Sequence, residues 1–136
     1  MANWYGTCRS NYVHVKNPTA FANWIDQFEA KLIEKDGRFG FYSENEYGDL
    51  PTLWEHPETF EELDEPMSIL DKIHEHLVEN EVLVVMEAGA EKVRYVSGWA
   101  LAIHSSGERV ELHLHDIYKL AQDEFGGDAQ ITEATY

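Results

Sequence analysis

The stretch Val82-Leu83-Val84-Val85-Met86-Glu87-Ala88-Gly89-Ala90-Glu91-Lys92-Val93-Arg94-Tyr95-Val96-Ser97-Gly98-Trp99-Ala100-Leu101-Ala102-Ile103-His104-Ser105-Ser106-Gly107-Glu108-Arg109-Val110-Glu111-Leu112-His113-Leu114-His115 decides the fold class. β-branched and aromatic residues dominate it, and Gly-bearing breaks fall between the runs, as in strands joined by turns. The reading is an antiparallel three-strand meander: Val82 to Glu87, a turn around Ala88-Gly89-Ala90, Val93 to His104, a turn at Ser105 to Glu108, and Arg109 to His115. With Ser106-Gly107 as a two-residue turn, Ile103 pairs with Val110, Leu101 with Leu112 and Trp99 with Leu114, which makes one apolar face. Gly98, Ala100, Ala102 and His104 then share the other face with His115, His113, Glu111 and Arg109. That face suits solvent, a partner or a closely packed helix.

Outward from the meander, Asp116 is positioned to cap a last helix from Ile117 to Phe125, with Ile117, Leu120, Ala121 and Phe125 inward and Gly126-Gly127 as its stop. The tail to Tyr136 is either pinned by Ile131 or mobile. Upstream, Pro66 opens a helix that turns Ile69, Leu70, Ile73 and Leu77 inward and fades at Glu79-Asn80. Nearer the start, Asn11 to Val15 alternates as a strand. Asn17-Pro18 then begins a helix with Phe21, Trp24, Ile25, Phe28 and Leu32 on one side, ended by Asp36-Gly37, and Phe39 to Tyr42 is a short strand. The expectation is one α+β domain over residues 1–136, a mixed and mostly antiparallel sheet with three helices packed mainly on one face. With 43% hydrophobic and 12% aromatic residues it has enough material for a core without disulfides or metals.

Residues 43–66 stand apart, as an acidic loop or short-helix insertion. They hold nine carboxylates (Glu44, Glu46, Asp49, Glu55, Glu58, Glu61, Glu62, Asp64, Glu65) and no Lys or Arg, so they supply more than half of a formal net charge of −16. Tyr47, Trp54 and Phe60 are set among them, and Trp54 and Phe60 are candidate aromatic anchors. Pro51 and Pro57 interrupt long elements, leaving room for one helical turn near Thr59 to Leu63. Duplex DNA carries one charge per about 1.7 Å of axis. Nine acids along 24 extended residues give only one per roughly 9 Å, whereas the five from Glu58 to Glu65 on a helical path give one per roughly 2.4 Å. Imitation of nucleic-acid phosphates therefore requires that part to be compact, or Glu44, Glu46 and later acids such as Glu75 and Glu79 to fold alongside it, and otherwise a solubilising loop is the better reading.

Twenty-six acids against ten bases argue against direct nucleic-acid binding, which depends on Lys and Arg at phosphates. A basic protein surface is the natural partner. The longest apolar run, Val82 to Met86, is far too short to span a membrane, and Met1 to Ser10 has no basic start followed by an apolar stretch. With Cys8 as its single cysteine, the chain suits a reducing cytoplasm.

Chemistry-bearing residues are few. His113 and His115 on one strand face, with Glu111 or Asp116 nearby, form a candidate divalent-metal set, and a metal-dependent hydrolase built on them is the enzyme alternative. The bland reading, a solvated strand without metal, is the commoner one, and no cofactor is expected. His74-Glu75-His76 has the wrong spacing for a zinc-protease helix, which needs histidines four residues apart. Cys8 beside Arg9 reads as a packed thiol rather than a nucleophile. Arg9 and Arg94 are candidates for structural ion pairs or an anion site. No glycine loop or serine elbow is present. A third alternative is a structural subunit that oligomerises through the Ala100 and Ala102 face, a homodimer among the options.

At Arg9-Ser10-Asn11-Tyr12 with Val15, at Met86-Glu87-x-Gly89-Ala90-Glu91-Lys92-x-Arg94-Tyr95 with Gly98, and at Asp116-Ile117-Tyr118, the chain resembles a family of small acidic proteins of plasmids and phages that has no assigned activity. The resemblance covers the two ends and not the acidic middle. It implies a mobile-element protein that acts on host machinery, such as an inhibitor of restriction or CRISPR systems, and no residue role is carried over from it.

Overall fold

The computed structural model describes residues 4–44, 50–55, 59, 61–91 and 95–134. Its elements in chain order are β1 (Trp4–Ser10), α1 (Pro18–Asp26), β2 (Ala30–Lys35), β3 (Arg38–Ser43), β4 (Thr52–Glu55) and β5 (Glu62–Ser68). A 3-10 turn (Ile73–His76), β6 (Val82–Glu91), β7 (Tyr95–His104), β8 (Arg109–His113) and α2 (Asp116–Phe125) follow. Six strands form one sheet in the order β2-β3-β1-β6-β7-β8, and β4 and β5 pair separately as a hairpin. Every strand pairing described is antiparallel. The α+β class and the antiparallel meander are as expected, with two α-helices and a 3-10 turn in place of three helices.

The core lies on one face of the sheet. Cys8, Phe41, Leu83, Val85, Leu101 and Ile103 project from the strands and are buried against Phe21 and Ile25 of α1 and against Ile69, Leu70, Ile73 and Leu77. Each such side chain taken fully from water stabilises the fold by about 1.5–3 kcal/mol. Asn17 caps α1 as expected, its Oδ1 accepting from Ala20 N at 3.1 Å, with Pro18 in the first turn. Among the described residues no helix is long and apolar enough to cross a membrane.

Several local expectations are corrected. The first strand is Trp4–Ser10, and Asn11 to Val15 contributes only isolated bridges, Val13 to Phe39 and Val15 to Leu77. Asn11 diverts the chain by clamping β6: its Oδ1 accepts from Val84 N at 2.8 Å and its Nδ2 donates to Val82 O at 3.2 Å. Gly40 passes so close beneath that a Cβ there would sit 2.2 Å from Asn11 O. Helix α1 stops at Asp26 and not near Asp36. Asp36-Gly37, with φ of 53° and 78°, is instead the two-residue turn of the β2–β3 hairpin, and Lys35 pairs with Arg38.

The helix expected from Pro66 is also absent. Pro66 lies in β5, and the next residues turn because Asp71 Oδ2 accepts from Ser68 N (3.0 Å) and Ser68 Oγ from Leu70 N (3.1 Å). Such side-chain bonds compete with helix formation. Ile69, Leu70, Ile73 and Leu77 are nonetheless buried, as their spacing predicts. Strand β6 continues through Ala88-Gly89-Ala90 to Glu91, because β1 and β7 pair with it on both sides. Lys92 to Arg94, and with them the start expected for β7, lie outside the described residues.

The correction with the widest effect is the β7–β8 register. The turn has three residues, Ser105-Ser106-Gly107, with Gly107 at φ +95° and His104 N donating to Glu108 O at 2.9 Å. Ser106 N donates to His104 Nδ1 at 3.0 Å, which holds the longer turn. Ile103 therefore pairs with Arg109, Leu101 with Glu111 and Trp99 with His113. A slip of one residue moves every β8 side chain to the opposite face.

Candidate binding surfaces

The described parts of the acidic segment include β4 and the start of β5, which pair as a ribbon. Thr52 pairs with Ser68, Leu53 with Met67 and Glu55 with Glu62, with a register irregularity between Leu53 and Glu55. The helical turn expected near Thr59 to Leu63 is overturned by β5, which begins at Glu62. Alternation puts Glu62 and Asp64 on one side of β5 and Leu63 and Glu65 on the other. From Glu61 to Glu65 the strand advances only about 13 Å, but one side then presents two carboxylates roughly 6–7 Å apart, and the other side has Leu63 between its acids. That is sparser than the duplex phosphate spacing of about 1.7 Å. The density argument for imitating a nucleic acid along one helix is lost.

Glu61, Glu62, Asp64 and Glu65 are all exposed, as is Glu44 just beyond β3. Among the described residues the ion pairs are His113–Glu111 and Lys119–Asp123, so these five carboxylates have no cationic partner there. Trp54 and Glu55 lie in β4, and the register sets Glu55 directly across from Glu62. Glu46, Asp49, Glu58 and Phe60 lie outside the described residues, as does Tyr47.

Glu87, a residue that sequence reasoning passed over as a site, ties this ribbon to the sheet. Its Oε1 accepts from Leu50 N at 2.8 Å and its Oε2 from Trp99 Nε1 at 2.5 Å. Ile69 N donates to Pro51 O at 3.1 Å at the same end, so the ribbon is fixed at its base. The signal was an acidic residue at an inward position of an apolar strand, where a carboxylate needs donors.

The candidate metal residues are differently arranged from the expectation. His113 ends β8, with its Nε2 3.0 Å from Glu111 Oε1 and its backbone N donating to Asp116 Oδ2 at 2.7 Å. His115 is past the strand, in a helical conformation, with its ring 6.0 Å from that of Tyr118. The two imidazoles thus do not share a strand face, and among the described residues no three His, Cys, Asp or Glu side chains group as metal ligands. His74 and His76 are in the 3-10 turn. The His76 ring lies 5.7 Å from Phe21 and 5.6 Å from Trp24, and this burial lowers its pKa, assisted by Lys16 and opposed by Glu75. Cys8 is buried in the core, and the Arg9 guanidinium lies 5.7 Å over the Tyr12 ring. Arg94 lies outside the described residues.

The register change creates a second surface. The sheet face away from the core takes its outward positions from Val84, Met86, Ala100, Ala102, Val110 and Leu112, and Leu114 follows directly over Gly98. Of the expected inward residues of α2, Ile117, Leu120 and Phe125 are exposed and Ala121 is half-buried, and the helix buries none of its side chains. Its N-cap position is His115, with Asp116 already inside the first turn. No protein-family model, no curated protein and no solved structure matches the chain.

Proposed function

We propose that this chain is a non-enzymatic binding protein that presents the β4–β5 ribbon to a basic protein surface of the kind that nucleic-acid-binding proteins carry. The observation behind this reading is a set of exposed carboxylates, Glu61, Glu62, Asp64 and Glu65, that sit on or beside a paired strand and have no cation next to them among the described residues. A merely solubilising segment needs no such ordering. The tether through Glu87 gives the ribbon a fixed origin on the sheet, which specific recognition requires and solubility does not. The resemblance of the chain's two ends to plasmid and phage proteins favours a partner among host defence proteins, with an antirestriction or anti-CRISPR inhibitor as the role. The strand geometry makes recognition depend on both strands of the ribbon, rather than on phosphate-like spacing along one of them.

The quadruple variant Glu61→Gln, Glu62→Gln, Asp64→Asn, Glu65→Gln tests the reading. A basic partner captured from host lysate at low salt is expected to elute as salt rises and to be lost in the variant, with the far-UV spectrum unchanged. Equal capture by the folded variant would sink the proposal.

A further inference from the structure

Of the twelve large apolar side chains that lie exposed among the described residues, seven make up two surfaces. Met86, Val110, Leu112 and Leu114 lie on the outer side of the β6–β8 sheet, and Ile117, Leu120 and Phe125 lie on α2; each is between 50% and 74% exposed. At about 150–200 Å² for a fully exposed large apolar residue, they offer roughly 650–850 Å² of surface. Each surface taken singly, at roughly 300–500 Å², matches the largest apolar patch of a typical soluble protein, about 300–600 Å², which is often functional. One partner in a standard interface contributes about 800 Å².

We propose that these two surfaces are the halves of one interface and that their occupant is a second copy of this chain, with α2 of each copy lying across β7 of the other. The shapes match. Along the middle of β7 the outward positions are small, Gly98, Ala100 and Ala102, while Met86 on β6 and Leu112 on β8 flank Ala100 in register. The flanking strands stand about 9–10 Å apart, a trough that accepts a helix of about 10–12 Å diameter seated by its apolar side. Each copy carries one trough and one helix, so a two-fold arrangement fills both at once and closes without leaving either open.

Charge selects the same occupant. No outward position of β6, β7 or β8 that the pairing defines carries Asp, Glu, Lys or Arg, in a chain of net charge −16. The acidity is thus kept off this face, as a self-association surface requires and a surface for a basic protein does not. An anionic membrane is a poor fit, because the polar side of α2 sets Asp116, Asp123 and Glu124 against Lys119 alone. The chain's own helix leaves the sheet edge at once, with Leu114 N on Gly98 O (2.9 Å) and Ile117 N on Leu114 O (3.2 Å), and its apolar side stays uncovered.

The test is the mass of the full chain by light scattering and sedimentation over a range of concentrations. The expected result is twice the 15.7 kDa chain mass, retained in 1 M salt, where binding through the acidic ribbon would be lost. Leu112→Glu and Leu120→Glu, one on each half, are each expected to weaken the dimer at least about 100-fold, because each buries an unpaired charge. Both positions are exposed in the single chain, so the variants should melt as folded monomers do. As a measurement independent of those variants, a chain carrying Ala102→Cys mixed with one carrying Leu120→Cys is expected to give a disulfide between chains on oxidation. A 15.7 kDa species at every concentration overturns the proposal. So does a dimer that both Glu variants leave intact. So, too, does a crosslink that forms within a single chain when one dilute chain carries both Ala102→Cys and Leu120→Cys.

Discussion

The two faces of the six-stranded sheet contain similar residue types and meet opposite fates. On the core face Leu83, Val85, Leu101 and Ile103 are buried, while on the other face Met86, Val110 and Leu112 remain in water. The difference is one of cover. Helix α1, the segment from Ile69 to Leu77 and the bridging residues Val13 and Val15 all pack on the first face. On the second, among the described residues, Leu114 lies over Gly98, and the Tyr12 ring beneath the Arg9 guanidinium borders Val84 and Met86. A sheet can therefore be half a core and half an interface, and what separates the two roles is which side the connecting segments choose.

Replacing one side chain on each face breaks the comparison most directly. Phe41→Ala, at a fully buried position, should cost about 3–5 kcal/mol in denaturant unfolding, whatever the protein concentration. Leu112→Ala should cost little in dilute protein, with a penalty that grows as concentration rises, because its loss falls on the paired state. Concentration-independent costs at both positions would show that the outer face is buried within one chain.

A smaller effect is expected at the join between sheet and ribbon. Glu87→Ala leaves Leu50 N and Trp99 Nε1 without their acceptor and should destabilise the fold by about 1–3 kcal/mol. A red shift of indole emission and faster amide exchange at Leu50 should accompany it, and an unchanged exchange rate there would show that Glu87 does not hold the ribbon.

The smallest effect concerns acid. Burial lowers the pKa of His76 in the fold, so below its ordinary value of about 6.5 the unfolded chain takes up that proton first. Its contribution to stability is complete above about pH 6.5 and is lost as pH falls toward and through the folded-state value. His76→Gln should make the decline in melting temperature between about pH 7 and pH 5 shallower than in the parent chain. An equal or steeper decline would place the ring in water.

Core membership is legible in the sequence better than conformation. The spacing of Ile69, Leu70, Ile73 and Leu77 turns them inward and they are buried, although a turn and a 3-10 segment carry them in place of a helix. Apolar spacing reports which residues avoid water, and more than one backbone path meets the same spacing. Asp36-Gly37 is legible as a break, but a helix stop and a hairpin turn use the same residues, and only the strand across the turn separates them. The β7–β8 register hangs on whether two or three residues turn the corner. His104 accepting from Ser106 settles that locally, beyond the reach of composition. At the candidate site the charge of the acidic segment is plain, whereas its strand geometry, its anchor at Glu87 and the uncovered α2 all depend on contacts distant in sequence.

The Asp36-Gly37 turn has a consequence for how the molecule meets others. It holds Lys35 and Arg38 side by side at one end of the β2–β3 hairpin, and the acidic segment leaves from the opposite end, after Ser43. The strand between spans about 17 Å. Glu34 and Asp36 offset Lys35 and Arg38 at the turn, so that end is close to neutral while the far end continues into the acidic segment, and the hairpin is electrically asymmetric along its length. In the field of a cationic partner such a body turns as it diffuses, so encounters arrive acidic end first and a larger share of collisions is productive.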